Sequence, residues 1–65
     1  MRIELKKARK SKSLFQRDIA KYLEMTLTSY QRIELGTRGT SEDNWIKIFE
    51  FFGEEIPLHK LMENV

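Results

Sequence analysis

The side chains of this chain that are best suited to chemistry cluster between Leu27 and Arg38, and that chemistry is recognition rather than catalysis. Leu27, Thr28, Ser29, Gln31 and Arg32 are spaced so that a helix would turn them outward while Tyr30 and Ile33, three apart, face in. Mostly hydrogen-bonding and carrying one cation, such a face suits the edges of DNA bases in a major groove. A guanidinium grips guanine O6 and N7 with two parallel bonds, and an apolar group meets a thymine methyl. Base reading by such a helix comes from its N-terminal end and from one turn on, which selects Leu27, Thr28 and Arg32. Ser29 and Gln31 lie beside them, in reach of phosphates or water. Leu27 also stands three residues before Tyr30, so it either reads a base or extends the core.

Nothing in the chain assembles a catalytic or metal centre. There is no cysteine, no phosphate-cradling glycine loop and no paired metal-ligand spacing. His59, the one histidine, sits beside Lys60 with no serine or carboxylate partner in sequence, and reads as a surface residue. An active site needs several converging groups, so no enzyme, cofactor, metal or small-molecule substrate is expected. The longest apolar run is far short of a membrane span, and Met1-Arg2-Ile3 does not open a signal peptide. The cytoplasm is the expected location.

The elements that must position these groups follow from periodicity. Residues 16–35 read as two short helices meeting at a tight turn. Ile19, Ala20 and Leu23 share a face of the first, Met25 plugs the turn, and Thr26 caps the second through its hydroxyl. The second should run over 27–35, with Gly36 as its left-handed stop. Ahead of them, residues 2–11 read as a helix with Leu5 and Ala8 inward and Lys6, Lys7 and Lys10 outward. Arg9, near the inner face, is either a phosphate contact or a partner for Glu34. Ser13-Leu14-Phe15-Gln16 has the spacing of a capping box, which would start the next helix near Leu14. Unpaired N–H groups in that helix's first turn suit a DNA phosphate. Ser41 should cap a fourth helix, with Glu42 and Asp43 at its positive end and Trp45, Ile48, Phe49 and Phe52 as an inward stripe. Ile46 and Phe51 should widen that stripe, and Gly53 should end the helix. Pro57 fits the first position of a short last helix with Leu58, Leu61 and Met62 as its apolar face.

This pattern resembles the helix-turn-helix domains of the Cro and phage-repressor type, the XRE family. The resemblance rests on Leu5-Lys6-x-x-Arg9, Leu14-x-Gln16, Ile19-Ala20-x-x-Leu23-x-Met25-Thr26, Glu34-x-Gly36-x-Arg38-x-x-Ser41, Ile48-x-x-x-Phe52-Gly53 and Leu61-Met62. It spans about residues 3 to 62 and implies a lambda-repressor-like fold: a compact all-α bundle of five short helices whose second and third form the motif over 16–35. It further implies a phosphate contact from the Gln16 amide, a backbone contact from Arg38, an internal Arg9–Glu34 ion pair and a bacterial or phage origin. A two-fold dimer contact through Pro57, Leu58 and Leu61, with Phe51 nearby, is implied too; closure of the chain's own core is the other use of that face. Three residues depart from the family pattern. Glu24 stands where glycine is usual at the turn, Tyr30 where Ile or Val is usual, and Thr40 where proline is frequent.

Charge placement agrees with a polyanion partner. Residues 1–40 hold ten Lys and Arg against four acids, whereas residues 41–65 hold two against six. The expectation is one domain over 1–65, a sequence-specific DNA-binding regulator and most simply a repressor. One helix of 27–35 covers few base pairs, so a homodimer on a palindromic operator in double-stranded DNA is expected. The rival from another class is a protein-interaction module of the same fold that binds a regulator or toxin partner.

Overall fold

A computed structural model describes all 65 residues and contains helices only. They are α1 (Ile3–Ser11), α2 (Gln16–Tyr22), α3 (Leu27–Leu35), α4 (Glu42–Phe51) and α5 (Leu58–Met62). Each buries the stripe its periodicity marks: Leu5 and Ala8 from α1, Ile19 and Ala20 from α2, Tyr30 and Ile33 from α3, Trp45 and Ile48 from α4, and Leu61 from α5. Leu23 and Phe52, just past α2 and α4, complete the core, and Met25 packs against it from the turn. α2 lies on α3, while α1 and α4 both pack on α5.

The starts of α3 and α4 use side-chain oxygens. Thr26 accepts the Ser29 N–H at 3.2 Å ahead of α3, and Ser41 accepts the Asn44 N–H at 3.2 Å ahead of α4. The first four helices stop in one way. After α2, the Met25 and Glu24 N–H groups return to the Ala20 and Lys21 carbonyls; after α3, those of Thr37 and Gly36 return to Arg32 and Ile33. α1 and α4 close by the same double bond, through Leu14 and Ser13 and through Glu54 and Gly53. This closure needs a left-handed residue, and those residues are Ser13 (φ 56°), Glu24 (φ 56°), Gly36 (φ 86°) and Gly53 (φ 73°).

Ser13 is therefore the stop of α1, not the cap of α2. α2 begins at Gln16 instead of near Leu14, and its start is held by the Asp18 carboxylate, which accepts the Phe15 N–H at 2.8 Å. Two other expectations change. Ile46 does not widen the α4 stripe, because it lies about 100° round the helix from Trp45 and is exposed. α5 begins at Leu58, one residue later than expected, with Pro57 before it as the cap residue.

Two of the ten N-terminal cations are turned into the fold. Arg9 is buried against Glu34, with Nε–Oε2 at 2.9 Å and Nη2–Oε1 at 3.0 Å, and its Nη1 donates to the Leu14 carbonyl at 2.9 Å. It is a structural partner and not a phosphate contact. Arg2 donates through Nη1 to the Ile33 and Arg38 carbonyls at 2.6 and 2.7 Å and through Nε to the Met62 carbonyl at 3.2 Å. Its guanidinium lies 5.1 Å from the centre of the Trp45 ring.

Candidate nucleic-acid interface

α3 has one face in the core and one in solvent. Tyr30, Ile33 and Glu34 are buried, and successive residues step round the helix by about 100°. Thr28 and Arg32 therefore share the outermost line one turn apart, and both are exposed. Leu35 continues that line at the next turn and is 52% exposed. Leu27 opens the helix at 43% exposure, so it is not part of the core.

The four residues expected near phosphates resolve into two hydrogen-bonded pairs, one on each flank of that line. On one flank Gln31 Nε2 donates to Gln16 Oε1 at 3.3 Å, and Gln16 Nε2 reaches Glu34 Oε1 at 3.4 Å. The start of α2 is thereby linked through Glu34 to the buried Arg9. On the other flank Arg38 Nη1 donates to Ser29 Oγ at 2.8 Å, and the Thr26 hydroxyl donates to the same oxygen at 2.9 Å. Ser29 accepts twice, which leaves its own O–H proton to donate outward. Arg38 comes from the α3–α4 loop, where Arg2 holds its carbonyl.

Burial and charge set the ionisation of three groups. Arg9 is raised, first by its hydrogen bond to Glu34, against an opposing effect of burial. Arg2 is lowered by desolvation. Tyr30 is raised well above its ordinary value, chiefly by burial and then by the Glu34 charge. Its hydroxyl has no hydrogen-bond partner. The exposed cations left for a ligand are therefore fewer than composition suggests. Arg17, Lys21, Arg32 and Arg38 lie in or beside the motif, whereas Lys12 is paired with Glu55 at 3.0 Å.

A profile of the helix-turn-helix family matches residues 5–58, from α1 to the start of α5. The chain belongs to the Cro and XRE type of helix-turn-helix family. That family is one of DNA-binding transcriptional regulators. No curated protein and no solved structure matches the chain. In this helix-turn-helix the motif is α2, a turn over residues 23–26, and α3.

Leu35 was the member of the exposed line that motif reasoning passed over. Its signal, seven residues after Thr28 on one helical face, is in the sequence, but its place just before Gly36 marks it first as a helix end. No three His, Asp or Glu side chains gather to hold a metal ion. No helix is long and apolar enough to cross a membrane.

Proposed function

We propose that this chain acts as one domain and as a sequence-specific DNA-binding transcriptional regulator in the cytoplasm, working by occupancy and most simply as a repressor. The observation that carries the reading is the exposed Thr28–Arg32 line on α3, bordered by the Gln16–Gln31 and Ser29–Arg38 pairs. α3 enters the major groove. Thr28 and Arg32 read base edges, Leu27 meets a thymine methyl, and the two bordering pairs hold the phosphates that line the groove. The phosphate contacts supply a salt-dependent, sequence-independent term, and the bases supply the choice of site.

A homodimer on a palindromic operator gives the site enough length. Leu61 is fully buried in its own core and has no surface to offer a second copy. Pro57 and Leu58 remain from the expected contact. Leu58 also lines a shallow groove with Trp45 and Met62 between α4 and α5, which gives a second copy an apolar seat.

The test is an anisotropy titration against random-sequence duplexes at two salt concentrations. Binding that weakens steeply with salt, followed by recovery of a consensus in a binding-site selection, supports the proposal; an absence of binding at low salt removes it. The exposed Leu27 and Leu35 at the two ends of α3 favour a second reading, in which the same face docks a protein partner. Loss of partner binding on Leu35→Asp, in a chain that binds no DNA, would establish that reading instead.

A further inference from the structure

Phe15 is 61% exposed, more than any other large apolar side chain except Val65. It is not loose. Its N–H is held by Asp18, and the Arg17 guanidinium lies 4.6 Å from the centre of its ring. Arg17 makes no ion pair. The next residue, Gln16, touches Gln31 on α3, so Phe15 sits at the end of α2 that borders the outward face of α3. An apolar surface joined to an unneutralised cation matches a ligand that alternates apolar and anionic groups at short range. The sugar–phosphate backbone of a duplex is such a ligand; its bases are stacked away, but its deoxyribose C–H surfaces and phosphates are open.

We infer that Phe15 and Arg17 form a backbone clamp. The ring packs on a deoxyribose of the strand bordering the groove, and the guanidinium, held over the ring, meets the adjacent phosphate. The clamp rests on the DNA-binding reading above and adds to it an apolar contact that is independent of salt.

Titration of the full chain against a short mixed-sequence duplex over a series of salt concentrations separates the two groups. Phe15→Ala should weaken binding by about five- to ten-fold, the loss of a partly buried aromatic contact, with the slope of log K on log salt unchanged. Phe15→Leu should recover part of that loss. Arg17→Gln should reduce the slope by about 0.9, the share of one phosphate. Because both side chains are exposed, the melting temperatures of all three variants should stay near that of the parent, which certifies the fold. The clamp is overturned if Phe15→Ala binds as tightly as the parent, if its loss comes with a changed slope, or if it alters only the self-association of the free protein. A parent chain that binds no duplex at low salt instead brings down the DNA-binding reading itself, and the clamp with it.

Discussion

Arg9 and Glu34 face each other across α1 and α3 through two parallel hydrogen bonds, with side chains only 10% and 4% exposed. Removing one partner of such a pair strands the other charge, which costs about 3–5 kcal/mol. A domain of this size rarely holds more than about that much stability. Arg9→Ala should therefore be largely unfolded by far-UV circular dichroism. Replacing both residues with apolar groups, as in Arg9→Met with Glu34→Leu, should restore most of the stability in a urea titration.

Tyr30 fills the core with an aromatic ring but leaves its hydroxyl without a partner. Tyr30→Phe should be neutral or stabilising, by up to about 1 kcal/mol. The same group gives the fold an alkaline limit. Below its ordinary value of 10.0 the hydroxyl is protonated in both the folded and unfolded chain, and its contribution is fully present. Above that value the unfolded chain releases the proton and the folded chain does not, so stability falls as pH rises, by up to about 1.4 kcal/mol per unit. Urea titrations between about pH 9 and about pH 11 should show a steeper loss in the parent than in Tyr30→Phe.

Ser13 and Glu24 occupy the left-handed position that glycine fills at residues 36 and 53. Neither Ser13 nor Glu24 makes a side-chain hydrogen bond or ion pair that glycine would forfeit. Ser13→Gly and Glu24→Gly should each stabilise the fold by a fraction of about 1 kcal/mol, the strain of a side chain in that region less the added freedom of glycine in the unfolded chain. Thermal melts should rise by a few degrees. A fall for Glu24→Gly would mean that entropy outweighs the strain.

Arg32 and Arg38 separate the two parts of the proposed recognition. Arg32→Ala should cost on the order of 1–3 kcal/mol of binding and relax preference at one base position in a selection from random duplexes. Arg38→Ala should weaken binding to all duplexes alike and lower the salt slope by about one. Identical selected sequences from the parent and Arg32→Ala would remove Arg32 from base reading.

The helices were legible because each buried stripe is periodic: Leu5 with Ala8, Tyr30 with Ile33, and Trp45 with Ile48 and Phe52. The stops at Gly36 and Gly53 were legible from residue type. Direction was not. A count of cations cannot tell that Arg2 points at three carbonyls, since those acceptors are backbone atoms brought near by the fold and belong to no motif. The start of α2 was misplaced because Ser13 and Asp18 each offer an oxygen at plausible spacing. The choice falls to Asp18 because closure of α1 onto the Arg9 carbonyl needs Ser13 in a left-handed conformation. At the candidate site the outward face of α3 was legible from register, but not the pairing of the side chains beside it. That Gln16 would meet Gln31, and Arg38 meet Ser29, depends on how the chain turns between them.

The clasp made by Arg2 has a bearing on how the molecule comes into being. Its three acceptors belong to Ile33, Arg38 and Met62, so the final turn of α3 is held by a residue from one end of the chain that also grips the other. On the ribosome α3 is synthesised well before Met62 emerges, and until then the grip is missing one of its anchors. A nascent chain should thus acquire protease resistance in one late step, after translation has passed α5.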